Sequence, residues 1–449
     1  MLASSAISIF YIFVFVVLIK KGAFFKLKGV PIFFPIATFL LKILAGIILT
    51  LIYTHYYPTR NTADIFKYFD DSKVMYDAAF TNFTDFIKML SGIGNDHTYF
   101  NEHYYNKMNW WYRQSAGNLY NDSHIIIRFN TLVRFFSFGQ FNVHTIFMCF
   151  LSFAGCTALY KAFSVFIQNK EKQLFICVFL LPSVWFWSSG VLKEGIVFFA
   201  IGFLLYSFFS LVVLKKYKAF HFIVFLSGAL LLFYLKFYLF ASILPALIAF
   251  SIHSNKVFWK YLLVFLFYIA FILFVSRIHS PFSPITLLSE KQQAFLELAE
   301  KENAGSVVKV YKLENSYMNL IKNIPYAIKN LFLHPFVFTC KIGLELPAAI
   351  ENSIFQIGLL FSFFFRNKLT KVENNFVWLC LSFSVFLFML IGTTTPVLGA
   401  IVRYKTPALP FLFAVLLLLS NHSKLYNQFN LYKYFYEKLE TFFNRFSVY

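Results

Sequence analysis

The sequence predicts an all-α integral membrane protein of about eleven transmembrane helices, with two long outer-face segments carrying short amphipathic helices. Three observations predict it. Of 449 residues, 59% are hydrophobic and only 13% charged, against about 45–50% and about 25% in an average soluble domain. Apolar runs of about 20 residues, enough for a helix to cross roughly 30 Å of hydrocarbon, recur along the chain. Lys and Arg gather in every second connection between those runs.

The N-terminal pair, residues 1–53, holds the runs 2–19 and 32–53. The first has no basic segment before it and no small-residue cleavage site after it, so it reads as a retained span and not as a signal peptide. A long polar segment, 54–142, follows and ends in an amphipathic stretch, Ile125 to Phe138, suited to the bilayer interface. The central bundle, 143–278, holds the runs 143–166, 174–189, 194–214, 219–235, 237–252 and 261–278. A second polar segment, 279–344, carries a helical pattern from Ser289 to Asn303, with Ser289 as its N-cap and Ala304-Gly305-Ser306 closing it. The C-terminal bundle, 345–420, holds 345–365, 376–393 and 406–420, and a basic tail with Lys424, Lys433, Lys438 and Arg445 occupies 421–449.

The alternating clusters are Lys20, Lys21, Lys26 and Lys28; Lys170 and Lys172; Lys215, Lys216 and Lys218; Lys256 and Lys260; and Arg366, Lys368 and Lys371. By the positive-inside rule they face the cytoplasm, with the N-terminus outside and the C-terminus inside. Both long polar segments then lie outside, where there is room for chemistry.

Forty Lys and Arg outnumber twenty Asp and Glu, but they fall in short clusters between apolar runs and line no polar face, which argues against nucleic acid and for membrane lipid head groups or phosphates. The five cysteines lie in or beside apolar runs without metal-ligand spacing, so neither structural zinc nor a disulfide framework is expected. The histidines, among them His55, His97, His103, His124, His279 and His334, show no HxxxH or HxxE spacing. No Walker phosphate loop, GxGxxG or GxSxG is present, so nucleotide hydrolysis, hydride transfer and serine-hydrolase chemistry lose their usual signatures.

Ionisable residues inside or beside spans carry the functional information, because each costs about 2.5–3.5 kcal/mol at a helix centre unless it faces a cavity or a partner. The stretch Pro182-Ser183-Val184-Trp185-Phe186-Trp187-Ser188-Ser189-Gly190-Val191-Leu192-Lys193-Glu194 breaks one helix and opens the next. It sets Lys193 and Glu194 at the outer surface as substrate-binding candidates, Lys193 suiting a phosphate group. An ordinary tight turn with snorkelling charges fits the same residues.

The second constellation runs from Thr62 to Asp77, in the first outer segment with Trp110, Trp111 and Arg113. If helical, it places Asp64, Tyr68 and Asp71 on one face and Asp70, Lys73 and Asp77 on the next. Asp64, Asp70 and Asp71 are the candidate bases; a solvated helix whose Asp and Lys pair is the alternative. The third is Arg403 and Lys405, which sit on the outer side against the charge bias, joined by Lys236 at another outer turn; Glu345 and Glu351 border the ninth span.

The Leu181-to-Glu194 stretch resembles the PSxxFWxSGxxK(D/E) signature of bacterial polytopic proteins linked to cell-surface polysaccharide synthesis. Arg403-Tyr404-Lys405-Thr406-Pro407-Ala408-Leu409-Pro410 resembles the RYxxPxLP element before a late span in many C-type (GT-C) membrane glycosyltransferases. Asp64 to Asp71 is similar in placement to that superfamily's acidic catalytic motif. The direct matches cover some forty residues. Two features depart from the superfamily: its members usually start in the cytoplasm, and its acidic motif is often Asp-Glu or Glu-Glu-Asp where this chain has Asp70-Asp71.

The resemblance implies a transferase of the bacterial inner membrane that moves a sugar from a polyprenyl-phosphate carrier to a glycan or lipid acceptor at the outer face. In that scheme Asp64, Asp70 or Asp71 takes the acceptor proton, and Lys193 and Arg403, with Lys236 or Lys405, stabilise the departing lipid phosphate. A cationic clamp could stand in for a metal, and the carboxylates leave room for Mg²⁺ or Mn²⁺. A repeat-unit polymerase needs the same clamp with a wider acceptor groove. A transporter or flippase for a lipid-linked or anionic solute would use the cations as a path.

Overall fold

The computed structural model describes residues 2–56, 59–112, 121–278, 283–301, 305–338, 340, 343 and 345–446; Arg113, His279, Asn303 and Ala304 lie outside them. Every regular element among the described residues is helical apart from isolated bridges. This is what a lipid-embedded chain requires, since a helix satisfies its own backbone hydrogen bonds where no water can.

Among the described residues seven helices are long and apolar enough to cross a membrane: Phe33–Tyr56, Phe141–Phe163, Lys193–Val212, Val257–Arg277, Leu346–Phe364, Lys371–Thr394 and Leu398–Leu419. Ala219–Leu235 and Phe237–Ser251 are apolar but shorter. The protein is therefore a helical membrane protein.

Burial ranks these helices. In the most apolar 18-residue stretch of Leu398–Leu419, Phe141–Phe163 and Lys193–Val212, 83%, 78% and 72% is buried and these helices form the centre, whereas in Val257–Arg277 17% is buried and it lies at the rim. Phe141–Phe163 and Lys193–Val212 touch backbone to backbone: a Cβ on Gly155 would stand 2.3 Å from the Phe198 carbonyl oxygen, and one on Gly202 2.1 Å from that of Gly155. Small residues allow such an approach, which gains dispersion and packing contacts in a lipid solvent that offers no hydrophobic driving force.

The run expected at 174–189 is not one helix. Glu171–Phe175 passes into a π-helical turn, Ile176–Leu180, the chain breaks at Leu181, and Pro182–Trp187 starts again. Pro182 has no N–H to donate back and takes the first helical position, where none is needed. The last span also begins earlier than expected, as Leu398–Lys405 and a 3-10 turn, Thr406–Ala408, run into Leu409–Leu419. The polar helix in the second long segment is Pro284–Lys301, so Ser289 lies inside it and caps nothing. The Ser289 hydroxyl instead accepts the Asn315 N–H at 3.2 Å.

Two ends can be told apart by the bonds that tie them. At one end the second polar segment is strapped to the turn before Leu398, with Val308 N–H donating to Pro396 O (2.7 Å) and Leu398 N–H to Ser306 O (2.9 Å). At the other, the Tyr160 hydroxyl donates to Lys28 O, Lys28 pairs with Glu171, and Lys170 donates to the carbonyls of Leu417 and Ser420. Asp64, Glu194, Lys236 and Arg403 belong to the first end.

Candidate functional site

Four side chains from separate elements converge at that end. Glu194 occupies the first turn of Lys193–Val212, and its side chain is fully buried. Lys236, in the hinge between Ala219–Leu235 and Phe237–Ser251, holds Glu194 Oε1 at 2.7 Å. Arg403, in the last turn of Leu398–Lys405, pairs with the same carboxylate on one side: Nη2 donates to Oε2 at 2.9 Å, while Nε, 2.9 Å from Oε1, is too poorly aligned to donate. Its other edge reaches Asp64, the first residue of Asp64–Thr81, with Nη1 3.5 Å from Oδ2. Asp64 is the exposed member, at 30%, against 14% for Arg403 and 4% for Lys236.

Burying Glu194 carries an effective desolvation penalty of several kcal/mol, which two cations on one carboxylate can offset. Removing Glu194, Lys236 or Arg403 leaves the other two charged in a poor solvent. Aromatic rings wall the group: the Lys236 ammonium lies 4.9 Å from the Tyr404 ring centre, and the Arg403 guanidinium 5.9 Å from that of Trp187. Such contacts add attraction in a desolvated setting. The Tyr238 hydroxyl, within electrostatic reach of Glu194, Asp122 and Arg403, is buried with no hydrogen-bond partner among the described residues.

Lys193 is held apart from this group by its own acid. Its Nζ lies 2.8 Å from Asp122 Oδ1 and 3.2 Å from Ser123 Oγ, with the Tyr68 ring centre 5.4 Å away. Three cations, Lys193, Lys236 and Arg403, thus face three carboxylates, Asp64, Asp122 and Glu194, and the formal charges of this cluster balance.

The broken segment sets Lys193 and Glu194 in place, and a residue the sequence reading passed over secures it. Lys42, in the middle of Phe33–Tyr56, is fully buried and donates to Ser188 Oγ at 2.6 Å. Ser188 in turn donates to Val184 O, and the Cys149 thiol to Ser189 O at 2.9 Å. Gly46 lets the two chains meet, since a Cβ there would stand 2.3 Å from Ser189 O. These bonds satisfy backbone that the break at Pro182 and Gly190 would leave open. A lone lysine ten residues into an apolar run was the signal.

The remaining predicted residues lie elsewhere. Asp70 forms a two-point pair on the surface with Arg60, at 2.9 Å to Nε and 2.8 Å to Nη2. Asp71 is buried and accepts the backbone N–H groups of Asn109 and Trp110, each at 2.7 Å, and the Asn109 amide at 3.1 Å. Burial pushes its carboxyl above the ordinary value, although these donors pull the other way. Asp71 therefore ties a loop to a helix. Lys405 turns away from Arg403 and donates to Asn352 Oδ1 at 3.1 Å, while neighbouring Glu351 accepts the Ser183 N–H at 2.9 Å. The chain thus brings together Asp64, Glu194, Lys236 and Arg403, with Lys193 alongside, but not Asp70, Asp71 or Lys405.

Among the described residues no three His, Cys, Asp or Glu side chains stand close enough to share a metal ion. A divalent cation such as Mg²⁺ or Mn²⁺ would have to draw most of its ligands from a substrate phosphate and water. No family model, curated protein or solved structure matches the chain.

Proposed function

We propose that this protein is a membrane glycosyltransferase of the GT-C kind, crossing the bacterial inner membrane about eleven times with its N-terminus outside and its C-terminus in the cytoplasm. It transfers a sugar from a polyprenyl-phosphate carrier to a glycan or lipid acceptor in cell-surface polysaccharide synthesis. A polymerase of lipid-linked repeat units is the same reading with a larger acceptor. The observation that carries it is the meeting of Asp64 with Arg403, Glu194 and Lys236 at one end of the bundle.

The geometry supports a division of labour. Glu194, itself held by Lys236, fixes one side of Arg403, so the guanidinium is preorganised and its Nη1 edge is the part able to change partner. Asp64 holds that edge weakly, at 3.5 Å. A carrier phosphate entering there takes over Nη1 and frees the Asp64 carboxylate, and the Tyr238 hydroxyl can donate to a substrate oxygen. Asp64 then accepts the proton of the acceptor hydroxyl as its oxygen attacks the anomeric carbon, and the bond from that carbon to the phosphate oxygen breaks. Polyprenyl phosphate leaves as an anion against Arg403. No step requires a metal.

Transport of a lipid-linked or anionic solute is favoured by one observation, the chain break at Leu181 together with buried Lys42 partway through a span. A deletion strain complemented with Asp64→Asn separates the two. The transferase reading expects loss of surface polysaccharide with accumulation of the lipid-linked donor on the outer leaflet. Normal polysaccharide overturns it, and accumulation on the inner leaflet favours transport.

A further inference from the structure

The helix Asn430–Arg445 lies at the end opposite the candidate site and is docked by one side only. Phe443 stacks on Phe34 with ring centres 4.0 Å apart, and Lys172 reaches Glu440 at 2.5 Å and Asn444 at 2.8 Å. Just beyond the helix, Phe446 stacks on Phe33 at 4.2 Å. Phe33 and Phe34 open the Phe33–Tyr56 span and Lys172 stands at the start of the broken one, so the helix runs across the ends of two membrane helices. That is the level of lipid head groups.

Successive residues turn by about 100°, so Tyr434, Arg445, Lys438, Leu431, Phe442 and Phe435 share one arc of about 100° on the side away from Phe443. Leu431, Phe435 and Phe442 are 69%, 63% and 51% exposed, Phe442 also meeting Phe34 edge to face at 5.3 Å. Both carboxylates of the helix, Glu437 and Glu440, fall outside the arc, which therefore carries apolar and tyrosine side chains with cations and no anion. Water is a poor partner for such a face, and a negatively charged membrane surface a good one.

We infer that this face is a binding site for anionic phospholipids, with Leu431 and Phe435 among the acyl chains and Lys438 and Arg445 on the head-group phosphates. It holds whatever reaction occurs at the other end of the molecule. Each cation near an anionic surface contributes about 1 kcal/mol, or about fivefold in occupancy.

The test places a nitroxide on full-length protein at Phe435→Cys, and at Lys433→Cys on the flank as a water-facing control. The protein sits in nanodiscs of phosphatidylcholine with or without phosphatidylglycerol, and accessibility to oxygen is compared with accessibility to a nickel chelate. The label at 435 should favour oxygen in the phosphatidylglycerol discs. Adding Lys438→Glu should lower the inserted fraction about fivefold or more. Three results overturn the proposal: nickel accessibility at 435 matching that at 433, insertion that ignores both phosphatidylglycerol and Lys438→Glu, or spin–spin broadening that reveals a second copy on this face.

Discussion

At the end that carries Asp64, Glu194, Lys236 and Arg403, charges from four distant parts of the chain meet around a fully buried Glu194, whereas at the opposite end Lys28 pairs with Glu171 at 3.7 Å while 77% exposed. Lys170, at that opposite end, caps the carbonyls where Leu409–Leu419 finishes, as a cation at a helix C-terminus should. One end thus uses charge to finish helices and meet a lipid surface. The other also sets charge at helix ends, Asp64 and Glu194 in first turns and Arg403 in a last one, but gathers those ends together where desolvation makes the charge expensive. That contrast separates structural charge from functional charge better than a count of Lys and Arg does.

The comparison can be broken by mutation. Glu194→Gln leaves Lys236 and Arg403 without their shared carboxylate and should lower stability by about 3–5 kcal/mol, read from unfolding of the full-length protein in nanodiscs. A loss under about 1 kcal/mol would make this pair no different from a surface one. Asp71→Ala strips three hydrogen bonds and deprives two partly buried backbone N–H groups of their acceptor, with an expected loss of about 2 kcal/mol. The isosteric Asp71→Asn, if the protein stays folded, should leave sugar transfer within a few-fold of wild type.

A comparable effect is set by pH. Burial holds the His124 imidazole, stacked on Trp111 at 3.7 Å, down to about 4. The unfolded chain takes up a proton near pH 6.5 that the folded chain refuses, so the stability from neutral His124 is complete above pH 6.5 and is lost as pH falls towards 4. The loss should be about 2 kcal/mol, discounted for partial exposure, and His124→Phe should flatten it. The smallest change is expected at the other end, where Lys172→Gln breaks the partly exposed pair with Glu440 and should cost about 1 kcal/mol or less.

The helical membrane class was legible because an apolar run of span length has few other uses, and the break at Pro182 because proline cannot continue a helix. The convergence of Asp64, Glu194, Lys236 and Arg403 was legible only as a tendency of unusual charges to share one surface. Periodicity set Asp64, Tyr68 and Asp71 on one face, but could not show that the loop at Asn109 and Trp110 would claim Asp71 while Arg403 took Asp64. Those partners are far apart in sequence, and no local pattern encodes them. Lys42 and Asp122 were readable in principle, one as a lone charge in a span and the other as an acid beside the stretch flagged as interfacial. The capping box Thr370–Glu373 is a local signal that fixes where a helix starts, not what the protein does.

The central claim is that Asp64 performs chemistry while its neighbours hold the site together. Its most direct test is turnover of polyprenyl-phosphate-linked saccharide, extracted from the host membrane, by purified full-length protein with and without Asp64→Asn. The account predicts a fall of about 10²–10⁴ in rate with thermal stability near wild type, because Asp64 is the exposed and weakly held member of the group. A folded Asp64→Asn protein that releases polyprenyl phosphate at the wild-type rate would contradict it.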